Sequence, residues 1–328
     1  MKVFITGGAG FIGSQMAEKF LKRGDSVTCF DNLILGKKEF LKNCGSLVAT
    51  GATFQFIQED LLNLDRVIAA MKGHDLVVHL AANSDISQGV EKSDVDLKNG
   101  TIATFNTLEA MRKSGVRDIL FASTSAIYGE ASVKPTPENY GPLIPISFYG
   151  ASKLGCEGLV SAFAHNCGLR AVTFRFANIV GPRSTHGAIH DFTERLLKDP
   201  KVLKVLGNGT QAKSYLHVED CIEGMLHALD RVLLPAAGPD FYECFNLASL
   251  GVSNVKFLAE TVAREFSKAR GIPVPVLEFG ESSRGWVGDV AYTWLDGSRF
   301  EKHGWKARLE SGAAVERAVR EIISEKLA

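Results

Sequence analysis

Apolar and β-branched residues gather in short runs at Val3–Thr6, Ser26–Phe30, Phe54–Gln58, Leu76–Leu80, Ile119–Ser123 and Ala171–Phe176. Between these runs the spacing becomes helical, over Phe11–Arg23, Leu64–Met71, Ser93–Lys113 and Ser147–Asn166. Apolar strands alternating with helices predict a parallel sheet, because crossover helices cover both of its faces and leave the strands no polar side. The steps Gly24-Asp25, Gly73-His74 and Gly115-Val116 stand where each helix should end. Glycine there accepts the left-handed conformation that closes a helix.

After Arg175 the rhythm breaks. Gly181-Pro182, Gly207-Asn208-Gly209, Pro235 to Pro239 and Pro273 to Pro275 punctuate shorter elements, with no repeat or low-complexity tract. A helix over Val218–Leu229 and a strand over Cys244–Leu247 return the chain to the first domain. The expected fold class is α/β. It is a Rossmann-type doubly wound parallel sheet over 1–175 with a return at about 214–248, and a smaller mixed α/β lobe within 176–328.

The bulk numbers narrow the partners. The 328 residues suit two closely joined units, and 45% hydrophobic with 23% charged residues is a globular composition. Thirty-seven basic and 37 acidic side chains cancel. That balance argues against nucleic acid as a partner, so an anionic ligand must be held by local donors. No apolar run is long enough to span a bilayer, and Met1 to Thr6 lacks the pattern of a signal peptide, so no membrane association is expected. The six cysteines show no paired spacing, which fits reduced thiols and a cytoplasmic location. His186 and His190 lie four apart without a supporting pattern, and no metal site is expected.

Chemistry enters at Gly7-Gly8-Ala9-Gly10-Phe11-Ile12-Gly13, which follows the first strand and opens a helix. Glycines there let the backbone approach a pyrophosphate that rests on the helix N-terminus. Asp31 closes the second strand, placed to accept hydrogen bonds from the adenosine ribose. Its carboxylate would repel a 2′-phosphate, and Asn32, Leu33 and Ile34 bring no arginine, so the expected cofactor is NAD rather than NADP. Tyr149 and Lys153 share one helix face, where an ammonium close to the phenol favours a phenolate base.

The glycine run, His79-Leu80-Ala81-Ala82, Ser123-Thr124-Ser125-Ala126-Ile127-Tyr128-Gly129 and Tyr149-Gly150-Ala151-Ser152-Lys153 occur in this order. Together they resemble the extended short-chain dehydrogenase/reductase family, and within it the NAD-dependent epimerase/dehydratase group. The resemblance implies that Tyr149 is the general base, that Lys153 holds the nicotinamide ribose, and that Thr124 hydrogen-bonds the reacting sugar oxygen. It places Gly7, Gly10, Phe11, Ile12, Asp31, Asn32, Asp60, Leu61, Leu80, Ala81, Ala82 and Asn99 around NAD, with Asp60 and Leu61 flanking the adenine. For Asn99, a polar residue at a helix start is an equal reading. Asn178, Lys213 and Arg284 are implied for a nucleotide sugar, the two cations clamping its diphosphate from opposite sides. Arg284 lies in the run Arg284-Gly285-Trp286-Val287-Gly288-Asp289.

Dehydratases of the group carry an Asp-Glu pair after the catalytic threonine, whereas this chain has Ser125-Ala126. The implied reaction is therefore C4 inversion of a nucleotide sugar, a UDP-hexose before others. Interconversion of UDP-glucose and UDP-galactose is the leading case. C2 inversion of a CDP-sugar, C4 inversion of UDP-GlcNAc or UDP-glucuronate, and a non-catalytic NAD sensor stay open. A homodimer is also implied, formed through Ser93–Lys113 and Ser147–Asn166. These helices carry Ile102, Phe105, Leu108 and Met111, and Leu154, Leu159, Val160 and Phe163, on more than one face.

Overall fold

A computed structural model describes residues 1–86, 88–285 and 288–327. The chain opens β1 (Lys2–Thr6), α1 (Phe11–Lys22), β2 (Ser26–Asp31), β3 (Phe54–Gln58), α2 (Leu64–Met71) and β4 (Leu76–His79). A one-turn α3 (Gln88–Glu91), α4 (Ala103–Ser114), β5 (Asp118–Thr124), α5 (Phe148–Cys167) and β6 (Arg170–Phe176) follow. Seven strands form one sheet in the order β11-β6-β5-β4-β1-β2-β3, where β11 is Phe241–Leu247. The pairs β3–β2, β2–β1, β1–β4 and β4–β5 are all parallel. Strand order reverses between β1 and β4, the place where such sheets open a crevice beyond their C-terminal ends.

Two compact units divide the chain. The first comprises Met1–Thr124, Phe148–Arg175 and Met225–Phe245. On one side of its sheet Phe4, Val77, Ile119 and Phe121 pack with Leu108, Met111 and Val160 of α4 and α5, all fully buried. The second comprises Ser125–Ser147, Phe176–Gly224 and Asn246–Ala328. It contains β7 (Asn178–Val180), α6 (Ala188–Lys198), β8 (Val202–Val205), β9 (Ala212–Lys213), β10 (Tyr215–His217) and most of α7 (Val218–Ala228). There follow β12 (Ser253–Asn254), α8 (Val255–Arg270), β13 (Val276–Phe279), β14 (Tyr292–Thr293), the one-turn α9 (Ser298–Glu301) and α10 (Ser311–Leu327). Leu196, Leu258, Val262, Val315 and Val319 form the core shared by α6, α8 and α10.

Three features differ from the reading of the sequence. Residues 125–147 cluster with the second unit although they fall inside the 1–175 span. Strand β10 pairs with β7 in the second unit, so the return to the first begins at Met225 and not at about 214. The helix expected over Ser93–Lys113 carries a π-helical stretch, Leu97–Ile102, ahead of α4. The cause lies in α5. The Ser152 hydroxyl donates to the Asp96 carbonyl at 2.7 Å and sits 3.0 Å from Thr101 Oγ1, and a Cβ on Gly100 would come within 2.1 Å of it. A side chain inserted this closely opens the helical ladder.

Candidate active site

In the first unit, β1 ends at Thr6 and turns at once into the glycine run. Gly7 has φ +67°, and a Cβ there would stand 2.9 Å from the Ala81 nitrogen. At Gly8 it would stand 2.5 Å from Cβ of Cys29, and at Gly13 2.1 Å from the Gly7 oxygen. Side chains are excluded, and the loop presents backbone to whatever lies beyond it. Gly10 caps α1, with Phe11 and Ile12 as its first residues and no acidic side chain in its first turn. A pyrophosphate meets free amide donors there without a competing carboxylate.

Asp31 does more than the sequence suggests. Its Oδ2 accepts from Ala9 N at 3.0 Å and its Oδ1 from Leu33 N at 2.8 Å, which holds Leu33 at φ +62°. Burial pushes its carboxyl up, and the two amides pull it back. The carboxylate thus braces the glycine loop while keeping lone pairs for further donors. Asn32 Nδ2 donates to Asp60 Oδ2 at 3.0 Å, and Asn106 Nδ2 donates to the Leu61 carbonyl at 2.8 Å. Asn32, Asp60 and Leu61 therefore meet beyond β2 and β3. Asn106 was not singled out from the sequence, where nothing local sets it apart from the other polar residues of α4. Leu80 N and Ala81 N donate to the Thr6 carbonyl and hydroxyl at 3.2 and 3.3 Å, and Ala82 follows, half-buried. Asn99 is half-buried on the π-helical stretch. The glycine cradle and the braced Asp31 fit NAD.

Thr124 is the last residue of β5, and Tyr149 and Lys153 occupy successive turns of α5. Thr124 hydrogen-bonds the Tyr149 phenol. Burial pushes that phenol up to about 12, and the Thr124 bond works against the rise. The Lys153 ammonium is anchored to β5. Its Nζ donates to the Ala122 carbonyl at 2.7 Å and lies 4.9 Å from the Phe121 ring centroid. Burial pushes Lys153 down. A hydroxyl on β5, that of Thr124, draws Tyr149 toward phenolate. Asp96, also missed from the sequence, is a buried carboxylate whose charge raises Tyr149; its Oδ1 accepts from Asn83 at 3.1 Å.

In the second unit two of the expected substrate residues, Lys213 and Arg284, both reach Asp289. Lys213 Nζ bonds Asp289 Oδ1 at 2.6 Å, and Arg284 donates to the Asp289 carbonyl at 3.3 Å. The same Arg284 guanidinium also pairs with Glu130. The two cations meet at one residue, where Lys213 supplies the counter-charge of the buried Asp289 carboxylate. Trp286 and Val287 of the Arg284 run lie outside the described residues. Asn178 begins β7, and its backbone N donates to the Ser214 carbonyl at 3.0 Å. His186 Nδ1 lies 3.2 Å from Thr185 Oγ1, and His190 Nδ1 3.2 Å from Asp191.

The family described as NAD dependent epimerase/dehydratase matches residues 3–241. A UDP-glucose 4-epimerase of Corynebacterium glutamicum is 31% identical over 84% of this chain and 82% of its own. A crystal structure of UDP-galactose 4-epimerase is 34% identical, with a TM-score of 0.85 over 100% of both chains. A UDP-glucuronate 4-epimerase of Thermodesulfobacterium geofontis is 28% identical over 96% of this chain and 94% of its own.

Proposed function

Because this chain belongs to the NAD dependent epimerase/dehydratase family, as an NAD-dependent nucleotide-sugar epimerase, we propose that it inverts C4 of a UDP-hexose and interconverts UDP-glucose and UDP-galactose. One observation carries the choice of reaction. Thr124 and Tyr149 are hydrogen-bonded, yet the two positions after Thr124 are Ser125 and Ala126. Removing the C6 hydroxyl requires an acid and a base beside the sugar, and neither residue supplies one. Inverting C4 requires only the base that is present.

Tyr149 takes the proton of the C4 hydroxyl while Thr124 hydrogen-bonds the same oxygen. Lys153 spends one N–H on Ala122 and offers its other two to the hydroxyls of the nicotinamide ribose. Asp31 orders the glycine loop and accepts from the adenosine ribose; Asn32, Asp60 and Leu61 flank the adenine. Bound NAD would supply a hydride acceptor for C4 and, once reduced, a hydride donor to its opposite face, while Tyr149 gives back the proton it took. The 4-keto sugar turns between these events, so the enzyme must grip the nucleotide and hold the sugar loosely. Arg284 is the principal grip on the diphosphate because its planar fork can bond two phosphate oxygens at once. Asn178 contacts the sugar. The first unit is the NAD-binding domain and the second the main substrate-binding one.

Among the described residues no helix is long and apolar enough to cross a membrane. The enzyme is a homodimer: Leu108, Met111 and Val160 are buried within the unit, while Ile102 and Phe105 remain about two-fifths exposed. Sedimentation should give twice the chain mass, and a concentration-independent monomer would oppose this. A second reading, C4 inversion of UDP-glucuronate, is favoured by the 28% identical relative acting on that sugar. Incubation with UDP-glucose, UDP-galactose, UDP-N-acetylglucosamine, UDP-glucuronate and CDP-glucose decides. The expected result is fastest turnover of the first pair to each other. Faster turnover of any other member would replace the substrate assignment.

A further inference from the structure

Three successive turns of α5 each bond to β5, through Tyr149, Lys153 and Glu157. Tyr149 pairs with Thr124, and Lys153 Nζ donates to the Ala122 carbonyl at 2.7 Å. Glu157 Oε1 accepts from the Ser123 hydroxyl at 2.5 Å. The helix side of this ladder follows the i, i+4, i+8 spacing of one face, and the strand side uses residues 122, 123 and 124. Two rungs carry groups with a chemical task; the third does not. Its carboxylate is instead gripped from the far side by β6, where Arg175 Nη2 meets Oε2 at 2.8 Å and Nε reaches both oxygens at 3.1 and 3.2 Å.

All three side chains of this junction are buried: Ser123 is 2% exposed, Glu157 5% and Arg175 7%. A buried ion pair is an expensive way to gain stability, since apolar side chains of like volume often serve as well. Cys156 and Val160, fully buried beside Glu157 on the same helix, show that apolar packing is available there. What apolar packing does not give is a fixed axial position, because a greasy interface slides at little cost. A carboxylate held by directional bonds from two strands cannot slide.

We propose that Glu157, held between Ser123 and Arg175, is a positioning residue that fixes the register of α5 against β5 and so keeps the Tyr149 phenol on the Thr124 hydroxyl. The inference rests on the reading of Tyr149 and Thr124 given under Proposed function. If the junction loosens, the Tyr149–Thr124 bond lengthens, because Thr124 directly follows Ser123 on β5. Thr124 is the group that pulls the phenol down, while burial and the charge of Asp96 push it up. A lengthened bond therefore moves the Tyr149 titration to higher pH.

The test uses the NAD-loaded enzyme with UDP-glucose and compares Ser123→Ala and Glu157→Gln with Tyr149→Phe. Ser123→Ala leaves the Glu157–Arg175 pair intact and guards against simple unfolding. Expected losses in kcat are about tenfold for Ser123→Ala and about a hundredfold for Glu157→Gln, the scale of a small misplacement of a reacting group. KM and NAD affinity should stay within about twofold, and the acid limb of the pH profile should move up. Crystal structures of both variants should show Tyr149 and Thr124 separated beyond 3.5 Å, a readout that needs no turnover. A junction that only stabilises the fold would lower the melting temperature and leave kcat, pH limb and distance unchanged; that result overturns the proposal. Wild-type activity in Tyr149→Phe would instead overturn the assignment of the base, whatever the other two variants do.

Discussion

In the first unit the charged groups of the candidate site have fixed partners within the unit. Asp31 bonds two backbone amides, Lys153 a strand carbonyl, and Glu157 both a serine and an arginine. In the second unit the cations are set differently. Lys213 is tied to buried Asp289, while Arg284 is about two-fifths exposed and pairs with Glu130, itself more than half exposed. Fixed partners suit groups that must meet a reacting atom in one geometry. An exposed pair, worth little in water, suits the role proposed for Arg284, whose guanidinium would exchange its carboxylate for a diphosphate. Chemistry and grip are thus built with opposite degrees of commitment.

The largest break of this comparison is Tyr149→Phe. It should lower kcat by at least about a thousandfold, within the usual reach of general-base catalysis. NAD affinity, measured by calorimetry, should be unchanged; retained turnover would mean that another base works. Next comes Asp31→Ala, which removes the brace of the glycine loop along with a ribose acceptor. NAD affinity should fall by one to two orders of magnitude, matching about 1.5–3 kcal/mol for a charged hydrogen bond, and the preference over NADP should narrow. Equal NAD and NADP affinity in the unaltered enzyme would remove the role given to Asp31.

Arg284→Ala should raise KM for the nucleotide sugar about ten- to a hundredfold and release free 4-keto sugar. Lys213→Met should affect KM least. Its main result should be a lower melting temperature, because it strands the buried Asp289 carboxylate. Steady-state kinetics and thermal unfolding of the two variants side by side test whether the exposed cation grips and the buried one only supports.

The rigidity of the first unit also has a pH signature. His79 is fully buried, hydrogen-bonded to Thr6 at 2.6 Å and Thr104 at 2.9 Å, and burial pushes it from 6.5 to about 3. Between those values the unfolded chain holds a proton that the folded chain refuses, so stability falls as pH drops through the window. The slope approaches about 1.4 kcal/mol per pH unit and flattens below the folded value. His74 and His217, also lowered by burial, add in the same direction. Urea unfolding at several pH values should show this slope, reduced in His79→Gln.

The first unit was legible because its strands are short, mainly apolar or β-branched runs alternating with helical spacing, and because close backbone approach at Gly7 and Gly13 admits only glycine. The Tyr149–Lys153 face followed from helical spacing alone. What the sequence hid depends on contacts between distant segments. The π-helical stretch arises where Ser152 inserts beside Gly100. The brace role of Asp31 depends on the amide of Ala9, 22 residues earlier. Lys213 and Asp289 lie 76 residues apart, so nothing local told that this lysine was already spoken for. Residues 125–147 carry the punctuation of Pro135, Pro137, Gly141-Pro142 and Pro145, but their place in the second unit is set by partners such as Asn246, which accepts from Tyr128 at 2.8 Å and donates to the Thr136 carbonyl at 2.9 Å.

The central claim is that C4 is oxidised and re-reduced without exchange of its hydrogen. UDP-glucose carrying deuterium at C4, incubated with the NAD-loaded enzyme in ordinary water, tests it directly by NMR and mass spectrometry. The account predicts UDP-galactose of unchanged mass with the deuterium still on C4. Deuterium washed out into water, or a product lighter by one water molecule, would contradict it.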